Sequence, residues 1–298
     1  MIPTRNRPEH VEVLLKSIVA AQPTNTEIIV IASGIDISSV IDKYKKELHI
    51  KYRHSDISGQ INQKLLALSM IHTNTSWVMF CDDDLIFSKD FFINFAKVVP
   101  SDERIIGLGI SLPSTEKLKN PSRIATLFSK IFFLHNSEEG ALLRNGHACS
   151  YMKAQYPIKT QWLSGASIWR KDFALEYSSV YSNTKYAAYE HVIYSHRMSK
   201  FGTLIYMPSL RLDFQEIPTN DVEPLDAFIS AMFWRNYLVN SDEYFSKSLF
   251  LWSQVGRNIE FITRTHGCAT LKLSISFIEL IYANIFKKDS TVLLGKYC

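Results

Sequence analysis

The sequence predicts an α/β protein, a mostly parallel central sheet flanked by helices, with a helical extension at its C-terminal end. Three observations carry this. Strand and helix signals alternate through the first half of the chain. The run Glu27-Ile28-Ile29-Val30-Ile31-Ala32 is continuously apolar and β-branched, as in a strand buried on both faces. From Pro224 onward nearly every segment reads as helix. A β-α-β-α-β order places ligands at the carboxyl ends of the strands. The expected division is a sheet domain over 1–215 and a helical extension over 216–298.

The elements follow in order. Ile2-Pro3-Thr4 ends a first strand, and Arg5 to Pro8 form a loop. Val11, Leu14, Leu15 and Ile18 then recur at helical spacing. Glu27 to Ala32 is the second strand, closed by Ser33-Gly34. A helix near 37–48, a short strand near Ile50 to Tyr52 and a helix near 60–72 precede the strand Trp77 to Cys81. Residues 114–160 are polar and irregular, with helix only around 123–134. A hairpin or strand near Gln161 to Trp169 leads to a helical Asp172 to Tyr177. A helix near 189–200 ends at Gly202, and the strand Thr203 to Met207 follows. Helices are expected over Leu225 to Val239, Tyr244 to Arg264 and Leu271 to Lys287. A strand bearing Pro3-Thr4 ordinarily has four or five residues ahead of Ile2, so either this central strand is short or the natural start lies upstream of Met1.

Composition narrows the class. The 298 residues suit two domains, or one large α/β domain with an appendage. Hydrophobic residues at 46% and charged residues at 21% exclude a disordered or fibrous chain. A net charge of +4 is too small to predict a nucleic-acid partner, but it favours anionic ligands or an anionic membrane surface locally. Cys81, Cys149, Cys268 and Cys298 are scattered without C-x-x-C spacing. With no signal peptide ahead of Met1, the expectation is reduced thiols in a cytoplasmic protein. No run of about 18 apolar residues exists to span a bilayer.

Three motifs carry chemistry. Asp82-Asp83-Asp84 directly follows an apolar strand. Carboxylates within about 5 Å repel one another by roughly 3 kcal/mol per pair at an effective dielectric near 20. Either a hard divalent cation neutralises them, completing its shell with water and substrate phosphates, or the triplet is a solvated acidic turn capping the next helix. Glu190-His191 opens a helix that also carries Tyr194 and Arg197. Both side chains are able to accept a proton near neutral pH, and an ordinary acidic first turn is the alternative. In Gln161-Trp162-Leu163-Ser164-Gly165-Ala166, a Trp beside small residues offers a flat apolar wall for a sugar ring or packs in the core beside a turn.

Taken in order, Ile2-Pro3-Thr4-Arg5-Asn6-Arg7-Pro8, Glu27 to Gly34, Phe80 to Asp84, Trp162 to Arg170, Glu190 to Arg197 with Gly202, and Tyr206-Met207-Pro208 resemble the family 2 glycosyltransferases over roughly residues 2–214. The resemblance implies the GT-A fold and inverting transfer of a sugar from a nucleotide-diphosphate donor to a glycan or lipid-linked acceptor, in surface polysaccharide synthesis. It implies that Pro3, Thr4 and Arg5 lie against the nucleotide. Asp82 and Asp84 match the outer members of the family's D-x-D element, so Asp82 and Asp83 fall on the donor side, and Asp82 with Asp84 on Mn²⁺ or Mg²⁺. Lys64 stands where many members have Arg and is expected to face the donor phosphates. Trp162, Gly165 and Ala166 match the segment that lines the acceptor.

The chain departs from the family pattern at three places. Where the family often has an acidic turn after its second strand, this chain offers only Ser33. His191 replaces the Asp of the family's E-D pair, so the base is Glu190 or His191. Glu190 is favoured because a carboxylate keeps its charge without tuning. Where a metal-binding His often follows, Asp213 is the nearby candidate.

The tail from 225 to 287 is rich in aromatic residues with interspersed Arg and Lys. Its helices either form a packed cap or lie in a membrane interface, with Leu273 to Phe286 the best interfacial segment. That would make the protein peripheral at the inner face of the cell membrane. The rival readings are a sugar-nucleotide-forming nucleotidyltransferase, disfavoured by the Gly-free loop after Thr4, and a catalytically decayed GT-A scaffold that binds glycans or nucleotides.

Overall fold

A computed structural model describes residues 1–112, 122–135, 138–177, 188–217, 223–265, 270–286 and 290–297. Cys268, Cys298 and the basic pair Lys287-Lys288 lie outside them. By contacts the chain divides into two compact units. The first comprises Met1–Thr115, Tyr151–Ser182 and Tyr194–Thr219; the second comprises Glu116–Ser150, Asn183–Ile193 and Asn220–Cys298.

The first unit opens with β1 (Ile2–Arg5), α1 (Pro8–Ala20), β2 (Glu27–Ser33), α2 (Ser38–Tyr44), β3 (His49–Ser55), α3 (Gln60–Leu68) and β4 (Trp77–Phe80). Strands β1, β2 and β3 pair in parallel, with Ile2 opposite Val30 and Glu27 opposite His49. The β2 run behaves as a strand covered on both faces. Ile28, Val30 and Ala32 join the main core with Leu14, Leu15 and Ile18 of α1, while Ile29 and Ile31 pack with Ala67 of α3. Burying each such aliphatic side chain contributes about 1.5–3 kcal/mol. Pro8 at the first turn of α1 has no donor to lose there.

Two hydrogen bonds at the chain start set β4 beside β1. The Met1 amino group donates to Met79 O at 2.8 Å, and Cys81 N–H donates to Met1 O at 3.1 Å.

Strand β4 begins a second sheet, which is mixed. It adds β5 (Leu85–Phe87), α4 (Phe91–Val98), β6 (Ile105–Ser111), β7 (Ile158–Thr160), β8 (Ser167–Arg170), α6 (Lys171–Leu175) and β9 (Thr203–Phe214), with α5 (Arg123–Ile131) intervening in the second unit. The strand order is β4-β8-β6-β9-β5, and β7 pairs with β9. Among the described strands of this sheet, only β6 and β9 run parallel. Of the hairpin or strand expected near Gln161 to Trp169, the strand is present as β8, and β7 just before it pairs with β9 rather than with β8.

The second unit holds α5, the start of α7 (Glu190–Met198), α8 (Pro224–Ser241), α9 (Lys247–Arg264), α10 (Thr270–Ile285) and α11 (Ser290–Tyr297). Phe233, Trp234, Leu238 and Phe250 are fully buried, so much of the aromatic tail is core. Helix α10 turns Leu273, Ser276, Leu280 and Ala283 inward and leaves Leu271, Ile275, Ile278 and Ile285 exposed. Its Lys272 is paired with Asp226, and its Glu279 with Lys296. No described helix is long and apolar enough to cross a membrane.

Candidate donor and acceptor site

The site in the first unit forms where β1, β2 and β4 end. Burial alternates along the acidic turn: Asp83 is buried, while Asp82 and Asp84 are only partly covered. Asp83 is spent internally. Thr4 Oγ1 donates to its Oδ2 at 2.6 Å, and Arg7 Nη1 donates to its Oδ1 at 2.8 Å. The middle carboxylate thus anchors the β1 loop to the β4 turn.

The outer two acids differ. Asp82 Oδ1 accepts from Gln60 Nε2 at 2.7 Å. The carboxyl of Asp84 is pushed above its ordinary range, first by burial and then by the charge of Asp83, against a smaller opposing pull from Arg7 and His10. A cation at this turn would relieve that strain.

Sequence reading missed the residue that holds the turn. Gln215 donates its backbone N–H to Asp84 O at 2.8 Å. Its Nε2 lies 3.0–3.1 Å from the carbonyls of His10, Asp83 and Leu85. Its Oε1 is buried without a hydrogen-bond partner, as is His10 Nε2. Asp213 sits opposite Ile86 in the β5–β9 register, and its carboxylate bonds Arg211 at 3.2 Å. No local pattern distinguishes Gln215; only the pairing of Leu85 with Phe214 brings it opposite Asp84.

The β1 and β2 ends interlock. Gln63 of α3 donates to Thr4 O at 2.6 Å and Ile31 O at 3.1 Å and reaches Ser33 Oγ at 3.3 Å. Gly34 has φ +78°, and a β-carbon there would overlap Asn6 Oδ1, which accepts from Ile35 N–H. Pro3, Thr4 and Ser33 are buried, and Arg5 is exposed. Lys64 is 2% exposed, with its ammonium 5.5 Å from the centre of the Phe80 ring and 5.8 Å from that of Tyr177. In this structure that charge faces aromatic rings.

The Trp162 segment meets the acidic turn. A β-carbon on Gly165 would stand 3.2 Å from Asp82 Oδ2. Half-buried Trp162 packs on Tyr151 with ring centres 4.7 Å apart. The Tyr151 hydroxyl accepts from Ser164 N–H at 2.8 Å, and Leu163 N–H donates to Ser195 Oγ. Ser164 Oγ donates to the carbonyl of buried Ala166. These contacts fix the loop backbone against Asp82.

Glu190 and His191 belong to the second unit. Glu190 is 2% exposed at the first turn of α7, and His191 Nδ1 lies 3.5 Å from its Oε2. Tyr189 beside them donates its hydroxyl to Gly146 O and accepts from Ala148 N–H. The two units thus each hold part of the residue set singled out from the sequence.

Residues 1–154 match the family model described as glycosyl transferase family 2. No curated protein matches the sequence. Among solved structures, Staphylococcus aureus TarS 1–349 in complex with UDP-GlcNAc is similar with TM-score 0.57 and 15% identity, covering 94% of this chain and 78% of that one. The mannosyltransferase PcManGT from Pyrobaculum calidifontis, in complex with GDP-Man and Mn²⁺, is similar with TM-score 0.56 and 9% identity, covering 97% and 86%. Against another S. aureus TarS structure the TM-score is 0.52 at 17% identity, and the match covers 87% of this chain but only 42% of that one. At these identities the likeness concerns the fold, which is GT-A.

Proposed function

The chain belongs to glycosyl transferase family 2, and we propose that it moves a sugar from a nucleotide-diphosphate donor to an acceptor hydroxyl with inversion, with a divalent cation held at Asp82 and Asp84. The observation that carries this is the internal neutralisation of Asp83 by Thr4 and Arg7, next to a half-buried Asp84 whose carboxyl is raised by burial and by the charge of Asp83. Mg²⁺ or Mn²⁺ commonly takes one or two protein carboxylates and completes its shell with water and substrate phosphates. The donor set fits that pattern: two half-buried acids, one of them with its carboxyl raised by burial and by the charge of Asp83. Among the described residues no group of three or more His, Cys, Asp or Glu is placed to hold a metal ion, so the cation's remaining ligands would have to come from water and the donor phosphates. PcManGT with GDP-Man and Mn²⁺, and TarS with UDP-GlcNAc, support the same donor class.

When bound, the cation offsets charge on the departing diphosphate. The β1 loop with Pro3, Thr4 and Arg5, and Ser33 at the end of β2, border the nucleotide. Gly165 lets acceptor and backbone approach beside Asp82, and Trp162 supplies the apolar wall. Glu190, with His191 orienting it, accepts the hydroxyl proton. The acceptor oxygen forms the new glycosidic bond as the bond from the anomeric carbon to the diphosphate breaks, and the nucleotide diphosphate leaves. The acceptor is a glycan or lipid-linked intermediate of surface polysaccharide synthesis, and the exposed apolar face of α10 supports peripheral contact with a membrane.

A second reading, a sugar-nucleotide-binding scaffold without turnover, is favoured by the acid-free turn Ala32-Ser33-Gly34 after β2. One assay separates the two: incubation with a nucleotide-sugar panel and Mn²⁺ or Mg²⁺, following release of free nucleotide. Metal-dependent release abolished by Asp84→Ala supports the transferase. Donor binding without release from any donor, with acceptor glycans present, supports the scaffold.

A further inference from the structure

The second unit holds one buried arginine and one partly buried beside it, and no carboxylate among the described residues bonds to either. Arg235 of α8 is 4% exposed. Its Nε donates to Ala231 O at 3.3 Å and its Nη2 to Gln254 Oε1 at 2.8 Å. Gln254 is itself fully buried and donates on to Asn258. Arg257 of α9 gives Nη2 to His147 Nδ1 at 2.6 Å, and its Nε is buried with no acceptor. A guanidinium only donates, so His147 Nδ1 must carry the lone pair and Nε2 the proton. That Nε2 is also buried without a partner.

Every acceptor in this cluster is neutral: a carbonyl, an amide and an imidazole. Arginine keeps its charge in proteins, and removing such a charge from water costs several kcal/mol unless an opposite charge answers it. Glu260, the carboxylate whose field reaches Arg257, is bound to Arg264 at 2.6 Å. The hairpin carrying His147 is itself well fixed. Leu143 N–H donates to His147 O, Cys149 N–H donates to Ala141 O, and Gly146 takes φ +74° against Val239. Its Leu143, Arg144 and Asn145 line a cavity of about 280 Å³ together with His135, whose Nδ1 is buried and unpartnered. Asn145 Oδ1 accepts from His147 N–H, linking the cavity wall to the arginine cluster.

We propose that Arg235 and Arg257, with His147, form a binding site for a phosphoryl oxyanion in the second unit, apart from the donor cluster of the first. Two full positive charges and N–H donors left over at Arg257 and His147 exceed what a single carboxylate would satisfy, whereas a phosphoryl group presents more oxygens and more charge. The anion is either a phosphate carried by the acceptor or free phosphate.

The test is a thermal-shift titration of the metal-free full chain with sodium phosphate, against sodium chloride at matched ionic strength. It is run on wild type, Arg257→Gln, Arg257→Lys and Asp84→Ala. Phosphate is expected to raise the wild-type Tm saturably while chloride does not. Arg257→Gln should lose most of that increment and Arg257→Lys keep part of it. Asp84→Ala should keep it whole even though donor turnover is lost, which separates this site from the donor reading. Methyl phosphate distinguishes the sources: an equal or larger shift assigns the site to a phosphomonoester in the acceptor, and a shift confined to inorganic phosphate assigns it to free phosphate. Should Arg257→Gln fail to fold, phosphorus NMR line broadening of phosphate by wild type, weakened in Arg257→Lys, reads binding directly. No phosphate-specific effect in wild type, an undiminished one in folded Arg257→Gln, or one lost in Asp84→Ala overturns the proposal.

Discussion

Gly165 stands against Asp82 so closely that a β-carbon on it would lie 3.2 Å from the carboxylate oxygen. That oxygen belongs to the acid whose other oxygen Gln60 holds at 2.7 Å. The acid therefore has little freedom to retreat. Gly165→Ala is expected to lower nucleotide release on the order of tenfold, since displacement of a positioned group by a fraction of an ångström is costly in rate. Gly165→Val should lower it further. Circular dichroism melting should move by only a degree or two for Gly165→Ala; a large fall in Tm with normal turnover per folded molecule would contradict the positioning role.

Arg7 and Thr4 are expected to matter for folding before chemistry, because both serve Asp83. Arg7→Ala leaves a mostly buried carboxylate facing no cation, and breaking such a pair costs about 3 kcal/mol, the lower end for buried pairs because Arg7 keeps some solvent contact. Thr4→Val removes one hydrogen bond and should cost about 1–2 kcal/mol. Urea unfolding at neutral pH measures both, and equal small losses from the two variants would show that the ion pair is unimportant.

Asp84 carries the opposite expectation. Burial and the charge of Asp83 disfavour its ionised form, so at neutral pH the folded protein is better off without that charge. Asp84→Asn should raise Tm slightly in metal-free buffer and abolish metal-dependent transfer. A variant that is both less stable and fully active would refute this assignment.

His147 predicts an acid-sensitive second unit. Burial first, then Arg257, Arg235 and His135, push its pKa from 6.5 down to about 3. The unfolded chain takes up a proton below about pH 6.5 while the folded one does not. Stability is thus fully present above that value and falls steadily as pH drops towards 3. Protonation would also put a proton on Nδ1 facing the Arg257 donor. His147→Gln should flatten the dependence of urea midpoint on pH across this window; an unchanged slope would assign the acid sensitivity elsewhere.

The exposed side of α10 gives a fifth expectation. Leu271, Ile275, Ile278 and Ile285 present an apolar stripe, while the charges of Lys272 and Glu279 are already paired. Flotation with liposomes should recover the wild-type chain at low salt, and Ile278→Asp combined with Ile285→Asp should leave it in the soluble fraction. Recovery of neither protein removes the membrane-contact reading.

Much of the framework was legible because it is periodic and local. The apolar run Glu27 to Ala32 became β2, covered on both faces, and Val11, Leu14, Leu15 and Ile18 became the inner side of α1. Strands β5 and β6 and helix α4 left weaker marks. Their residues are short apolar runs whose burial depends on β8 and β9 arriving beside them. Trp162 and the acids were visible as motifs, yet their adjacency through Gly165 was not.

Within the turn at 82–84 the division is sharpest. Sequence alone identified an acidic cluster after a buried strand, since composition and hydrophobic period are properties of neighbouring residues. Which of the three acids is spent on folding was decided by Arg7 and Thr4, 76 and 79 residues earlier, and by Gln215, which is 132 residues beyond Asp83. A carboxylate's role depends on whether a donor meets it out of water, and only the folded chain brings those donors within reach.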